Sequence, residues 1–394
     1  MDLALYDGEV GYYARAPQRS GRAGDFFTSV DVGSVFGELL ERQIAEMAAI
    51  LAEAQKPRAG TGAGATGDVS GAFDLVEAGA GNGRLAADIL RAARRRHPSL
   101  YQRTHLHLAE ASAEARTAHR ETLAEVAGRL RSSSDSLPDR FEGVLLANEL
   151  LDAFPVHQVV MREDGLREVY VDADRRGAFA GDDPGIRPGT APRAGSTNDR
   201  FVLVEGPLST PALREHLARL HVTLEPGWRV EINLRAVEWV RDVARRLVRG
   251  FIILIDYGHD ARDLYSATHA AGTLATYSTH RMEGPGSRGS APPWLRRPGE
   301  QDITAHVDFT SIRETAESEG LTTIGFLDQT YFVMGLLDSA ELANTTGPAT
   351  LQKSLALRTL LMPGGLGSTH KVLLLGKHVG VPALLGCSFR IRVT

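Results

Sequence analysis

Apolar residues recur at helical spacing from Val35 to Leu51, with Val35, Phe36, Leu39, Leu40, Ile44, Met47, Ile50 and Leu51 in register, so the pattern predicts a helix. Beyond it the pattern changes to short apolar runs at 73–78, 104–110, 141–148 and 251–256, which read as buried strands. Helical periodicity is expected over 84–96, 112–130 and 234–248. Residues 156–171 alternate like a surface hairpin strand, and Phe201–Val204 and Trp228–Ile232 read as further strands. Gln329–Met334 and Lys371–Leu375 are expected as the final pair that closes the sheet. The Gly/Ala-rich run 55–72 and the polar run 172–200 are expected as loops. Strands alternating with helices predict an α/β fold with a doubly wound, mostly parallel sheet. About a hundred residues separate the strand ends at 148 and 251, far more than an ordinary connection. The expected layout is therefore an N-terminal helical or lid segment (1–54), a core from 73–155 and 250–394, and an inserted subdomain at 156–249 on the substrate side.

Ligands of such sheets lie beyond the carboxyl ends of the strands. Polar residues stand at those ends: Glu77, Glu110, Asn148 with Glu149, and Asp256. Directly after the first strand comes Glu77-Ala78-Gly79-Ala80-Gly81-Asn82-Gly83. Three alternating glycines let a ligand press against bare backbone, and the helix behind them presents unpaired N–H groups. A dinucleotide fingerprint would require glycine at 84, where Arg84 stands, and a P-loop would require Lys-Ser/Thr after Gly83. The remaining pattern, Glu-x-Gly-x-Gly-x-Gly, resembles motif I of class I S-adenosylmethionine-dependent methyltransferases. That resemblance implies a turn at Gly79, Gly81 and Gly83 that holds the methionine part of the cofactor. It also implies an acid on the next strand, here Glu110, that binds the ribose hydroxyls. A carboxylate suits a vicinal diol because it accepts two hydrogen bonds.

Other stretches carry polar groups with two readings each. Glu149 and Asp152 are spaced to share a helical face, where they would hold a guanidinium or amine, or simply cap a helix start. Gly24, Asp25 and Thr28 lie in a glycine-spaced loop, expected as a lid over the cofactor or as a plain turn with an N-cap. Asp256 ends the most apolar strand in Asp256-Tyr257-Gly258 and would orient a substrate nitrogen or shape the turn. His306 would relay a proton or serve a structural role. His105 and His107 share a strand face without neighbouring acids or cysteines in sequence, so no metal site is expected.

Composition narrows the classes. A net charge of −5 offers no electrostatic case for nucleic acid. The single cysteine, Cys387, excludes an intrachain disulfide framework and a cysteine-rich zinc site. No apolar run approaches the ~20 residues of a membrane span. The N-terminal residues lack the marks of a signal or transit peptide, so a cytoplasmic location is expected.

Ordered blocks then carry a specific resemblance. They are Leu5-Tyr6 with Gly11-Tyr12-Tyr13, Gly24-Asp25-Phe26-Phe27-Thr28-Ser29, Phe36-Gly37-Glu38, the glycine turn, Ala147-Asn148-Glu149-x-x-Asp152-Ala153-x-Pro155-Val156, Asp256-Tyr257-Gly258, Gly272-Thr273-Leu274, Asp302 to Phe309, and Lys371-Val372-Leu373. Together they resemble the MidA family, the family of the mitochondrial complex I assembly factor 7. The resemblance implies a Rossmann-like class I methyltransferase sheet with S-adenosyl-L-methionine as cofactor. Glu77, the three glycines, Glu110 and Asn148, with the Gly24-Asp25-Thr28 lid, are the implied cofactor contacts. The implied reaction is N-methylation of arginine in a protein substrate, with Glu149, Asp152 and Asp256 as the acids and His306 as a relay. The residues by themselves leave open a small-molecule methyltransferase, or a non-catalytic assembly protein that retains the fold.

Overall fold

The computed structural model describes residues 1–14, 28–53, 71–174, 200–278, 281–284, 292–337, 348–361 and 369–389. Its strands, in chain order, are β1 (Phe73–Ala78), β2 (Thr104–Ala109), β3 (Leu130–Ser134), β4 (Phe141–Asn148), β5 (His157–Arg162), β6 (Gly165–Asp174), β7 (Arg200–Gly206) and β8 (Arg229–Ile232). They continue with β9 (Leu247–His259), β10 (Ala275–Ser278), β11 (Arg281–Glu283), β12 (Asp302–Thr304), β13 (Val307–Asp308), β14 (Thr322–Asp328) and β15 (His370–Lys377). The central sheet has the order β14-β15-β9-β4-β1-β2-β3, with β13 added beside the end of β9. Strands β3, β2, β1, β4 and β9 run parallel, while β15 is antiparallel to both of its neighbours. This is the doubly wound, mostly parallel α/β sheet expected.

The inner strands read as unbroken apolar runs because both of their faces are covered. In β4, Val144 and Leu146 face one layer while Leu145 and Ala147 face the other. In β9, Phe251, Ile253 and Ile255 separate from Ile252 and Leu254 in the same way. Each such fully buried large side chain contributes about 1.5–3 kcal/mol. The first layer is built by the helices Ser34–Glu53, Arg84–Arg96 and Gln329–Leu336, and the second by Leu234–Arg246 and Phe309–Ser318. Residues 34–53 are thus part of the core layer.

Several sequence expectations change here. The helix expected over 112–130 ends at Leu123; a 3₁₀ turn follows, and then β3, an edge strand too polar to announce itself. Gln329–Met334 is helical rather than extended, because Phe332, Val333 and Leu336 bury at helical spacing. The closing strand is instead β14, an edge strand only half-buried along its length. Within 156–249, the strands β5 to β8 form a separate four-stranded sheet in the order β7-β6-β5-β8. The helix Leu234–Arg246 does not belong to that insertion. Its Ala236, Val240, Val243 and Ala244 pack against the central sheet. A second excursion after β9 carries the small sheet β11-β10-β12. No helix among the described residues is long and apolar enough to cross a membrane.

Candidate active site

The glycine turn follows β1, and each of its three glycines needs positive φ: 69° at Gly79, 53° at Gly81 and 85° at Gly83. A side chain at Gly81 would enter open space, while one at Gly83 would meet Leu108 at 3.2 Å. Gly83 ends the turn in the left-handed conformation, directly before the helix Arg84–Arg96. Glu110, just past β2, ties the turn down. One of its oxygens accepts from the Gly81 N–H at 2.8 Å, and the other accepts from the Ser112 N–H at 2.8 Å. Glu77 is buried at the end of β1 and accepts from the Ala86 N–H at 3.1 Å. Burial pushes its carboxyl up to about 8, against the pull of that amide.

A cavity of about 810 Å³ opens over these groups. Glu77, Gly79, Gly81, Glu110, Asn148 and Thr28 all line it, and so does Glu149. Gly24 and Asp25 lie outside the described residues. Thr28 begins a short 3₁₀ turn, with its N–H and hydroxyl donating to Asp31 at 2.9 and 3.0 Å. Asp31 also pairs with Arg84 at 2.8 Å, which docks this segment onto the helix behind the glycines. The turn therefore has the N-cap geometry that formed the plainer reading of that loop.

The acids just past β4 and within the last residues of β9, which runs on to His259 rather than ending at Asp256, separate into different roles. Glu149 adopts φ 52°, a conformation that non-glycine residues rarely hold and that recurs at functional sites. Its N–H donates to the Ile255 carbonyl at 2.8 Å. Its carboxylate, at the cavity wall, accepts from Asn148 Nδ2 at 3.2 Å and from the Ser29 N–H at 3.4 Å. Asp256 is 1% exposed and is consumed by backbone: one oxygen accepts from Leu150 at 3.1 Å and Leu151 at 2.7 Å, the other from Tyr257 at 2.8 Å. Burial raises its carboxyl to about 7. Asp152 is also buried and off the cavity wall. Burial first, and then the charges of Asp256, Asp302 and Glu149, raise its pKa well above the ordinary value for an aspartate. The shared face expected of Glu149 and Asp152 thus places only Glu149 at the cavity.

His306 does not reach the cavity; it packs with His259 and His269, its ring centroid 5.2 and 5.9 Å from theirs. His105 and His107 do have an acid beside them: Asp74 comes across from β1, its Oδ1 3.8 and 3.4 Å away. Sequence reasoning also missed wall residues. Tyr6 and Tyr13, from the first residues of the chain, line the cavity with their rings 5.4 Å apart, and Tyr13 donates to Asp302 at 2.9 Å. Asp135 and Ser136, just past the unanticipated β3, line it as well. Their one signal in sequence was the Leu5-Tyr6 and Tyr12-Tyr13 pattern; β3 offered none.

Comparison with known proteins agrees with this geometry. A family model described as S-adenosyl-L-methionine-dependent methyltransferase matches residues 59–327. The mouse mitochondrial protein arginine methyltransferase NDUFAF7 is 28% identical over 85% of this chain and 69% of its own length. The bovine protein of the same name is 27% identical over 96% and 79%. A crystal structure of a COG1565 superfamily member from Burkholderia thailandensis, bound to S-adenosyl-homocysteine, superposes with TM-score 0.77 at 28% identity, covering 98% of this chain and 88% of that one. The cytoplasmic location expected from the N-terminus is overturned, since the curated relatives from mouse, zebrafish and fly are named as mitochondrial proteins. Glycine turn, strand-end acids, sheet order and matched sequence together place the chain in this family of S-adenosyl-L-methionine-dependent methyltransferases, the MidA family.

Proposed function

We propose that the chain transfers a methyl group from S-adenosyl-L-methionine to a guanidinium nitrogen of arginine in a protein substrate. The observation that carries this reading is the carboxylate of Glu149, held in a strained conformation on the wall of the cavity that the glycine turn also lines. The relatives named protein arginine methyltransferases support the choice of acceptor.

The residues present fit the cofactor. The backbone at Gly81 is open to the cavity, and Asn148 Oδ1 is a buried acceptor with no hydrogen-bond partner of its own. Each oxygen of Glu110 holds one amide and keeps a lone pair for a hydroxyl. We assign Gly79, Gly81, Glu110, Asn148 and Thr28 to cofactor contact, with Glu77 beneath them. When bound, the cofactor supplies an already activated methyl on a sulfonium, so the protein's task is position and charge.

An arginine side chain arrives protonated, its pKa above ~12. Glu149 would hold it by charge-assisted hydrogen bonds, concentrate the positive charge on the bonded side, and accept the departing proton. Asp152, buried off the cavity wall, and Asp256, engaged by amides, act in this reading as positioning residues for the turn that carries Glu149.

The test is incubation with methyl-labelled cofactor and lysate protein, followed by acid hydrolysis. Labelled methylarginine is expected in the protein fraction, and Gly81→Val, which blocks the cradle, abolishes it. Label appearing only in small molecules of the soluble extract would defeat the protein-arginine reading while leaving methyl transfer intact.

A further inference from the structure

His259, His269 and His306 come from three separate segments and meet where β9 ends. The parallel pairing of β13 with β9 sets Asp308 opposite His259, which brings the loop carrying His306 alongside. His269 closes the 3₁₀ turn Ala267–His269. One nitrogen from each ring lies within 4.8 Å of the other two. His269 Nδ1 is 2.9 Å from the carbonyl oxygen of Asp263. A carbonyl only accepts, so Nδ1 carries the proton and Nε2 keeps its lone pair, the arrangement by which backbone carbonyls orient metal-bound imidazoles. His306 Nδ1 is buried without a hydrogen-bond partner. The His306 backbone is pinned through its N–H to Thr273 Oγ1 at 3.1 Å, and Thr273 is held in turn by the buried Glu231.

We propose that His259, His269 and His306 form a three-imidazole site for a divalent transition-metal ion of the Zn²⁺ class. Nitrogen ligands without thiolate suit zinc and its neighbours, and three protein ligands leave one position for water. Bonds of ~2.1 Å in a tetrahedral arrangement bring ligand nitrogens to roughly 3.4 Å from one another, so ring rotation must close the cluster by somewhat more than ~1 Å. The ion would join the end of β9 to both ends of the excursion that carries the β11-β10-β12 sheet. It would brace that excursion against the central sheet, whatever the methyl acceptor. The site is invisible in sequence because the three residues are distant along the chain.

The chain, stripped with a chelator and desalted, is titrated with Zn²⁺ and separately with Co²⁺. Uptake of about one equivalent of Zn²⁺, and visible absorption bands from bound Co²⁺, are expected. His269→Ala and His306→Gln should each weaken Zn²⁺ binding at least about tenfold. S-adenosyl-homocysteine binding, which involves none of the three residues, reports that each variant is folded. The proposal is overturned if folded wild-type protein takes up neither ion. It is equally overturned if both variants bind Zn²⁺ as tightly as wild type, which would place the ion elsewhere, for example beside Asp74.

Discussion

His119 Nε2 lies 2.8 Å from the carbonyl oxygen of Gly81, so a buried imidazole holds the middle glycine of the cofactor turn from below. Its Nδ1 is 2.8 Å from the Ser133 hydroxyl on β3. The carbonyl can only accept, so Nε2 carries the proton and Nδ1 accepts from serine. Burial lowers the pKa of His119, which favours this neutral form. His119→Phe keeps the ring and removes both bonds. The expected result is a cofactor dissociation constant raised about tenfold, the equivalent of one ordinary hydrogen bond of ~1–1.5 kcal/mol. Isothermal titration measures it, and an unchanged constant would show that the turn holds its shape without this prop.

Glu149 and Asp152 should respond differently to loss of charge. Glu149→Gln is expected to bind S-adenosyl-homocysteine normally yet lose methyl transfer by roughly a hundredfold or more, the scale of a lost proton acceptor. Asp152→Asn keeps the shape of a carboxyl whose charged form burial disfavours, and should retain much of the activity. Initial rates with labelled cofactor decide it. Equal losses in the two variants would argue against the division of roles.

Asp256 is expected to matter for stability before chemistry. Asp256→Ala removes the acceptor of the Leu150 and Leu151 N–H groups and should cost about 2–6 kcal/mol, from ~1–3 for each orphaned group. Asp256→Asn keeps one carbonyl oxygen and should cost less. Denaturant midpoints compare them, and an alanine variant as stable as wild type would contradict the bracing role.

Glu77 makes stability depend on pH. Its carboxyl is raised from the ordinary 4.5 to about 8 in the fold, so over that interval the native state binds a proton that the unfolded chain has released. The contribution is complete below about 4.5 and is lost as pH rises through about 8. Glu77→Gln is neutral at every pH and should flatten that decline. Unfolding free energies taken near pH 5 and near pH 8 test this, with parallel slopes for both proteins as the refuting outcome.

What the chain announced locally and what it concealed differ for a physical reason. The strand at 73–78, the helix at 84–96 and the turn between them depend on residues adjacent in sequence, and there the apolar period and the positive-φ requirement are written directly. The apolar runs of β4 and β9 were legible because both faces of a central strand are buried. Edge strands β3 and β14 were not, since a half-exposed strand needs no apolar run. Residue type also showed which acids stood at strand ends, but not what each would face. Asp256 meets amides from residues about a hundred positions away, Asp152 is sealed beside other acids, and Glu149 alone of the three reaches the cavity. His119 under Gly81, and the meeting of His259, His269 and His306, likewise exist only where distant segments pack. The sequence by itself determined the central parallel strands, the glycine turn and the family. The tertiary structure alone decided which carboxylate stays open to a substrate, because burial and hydrogen-bond partners belong to the packed chain rather than to any stretch of it.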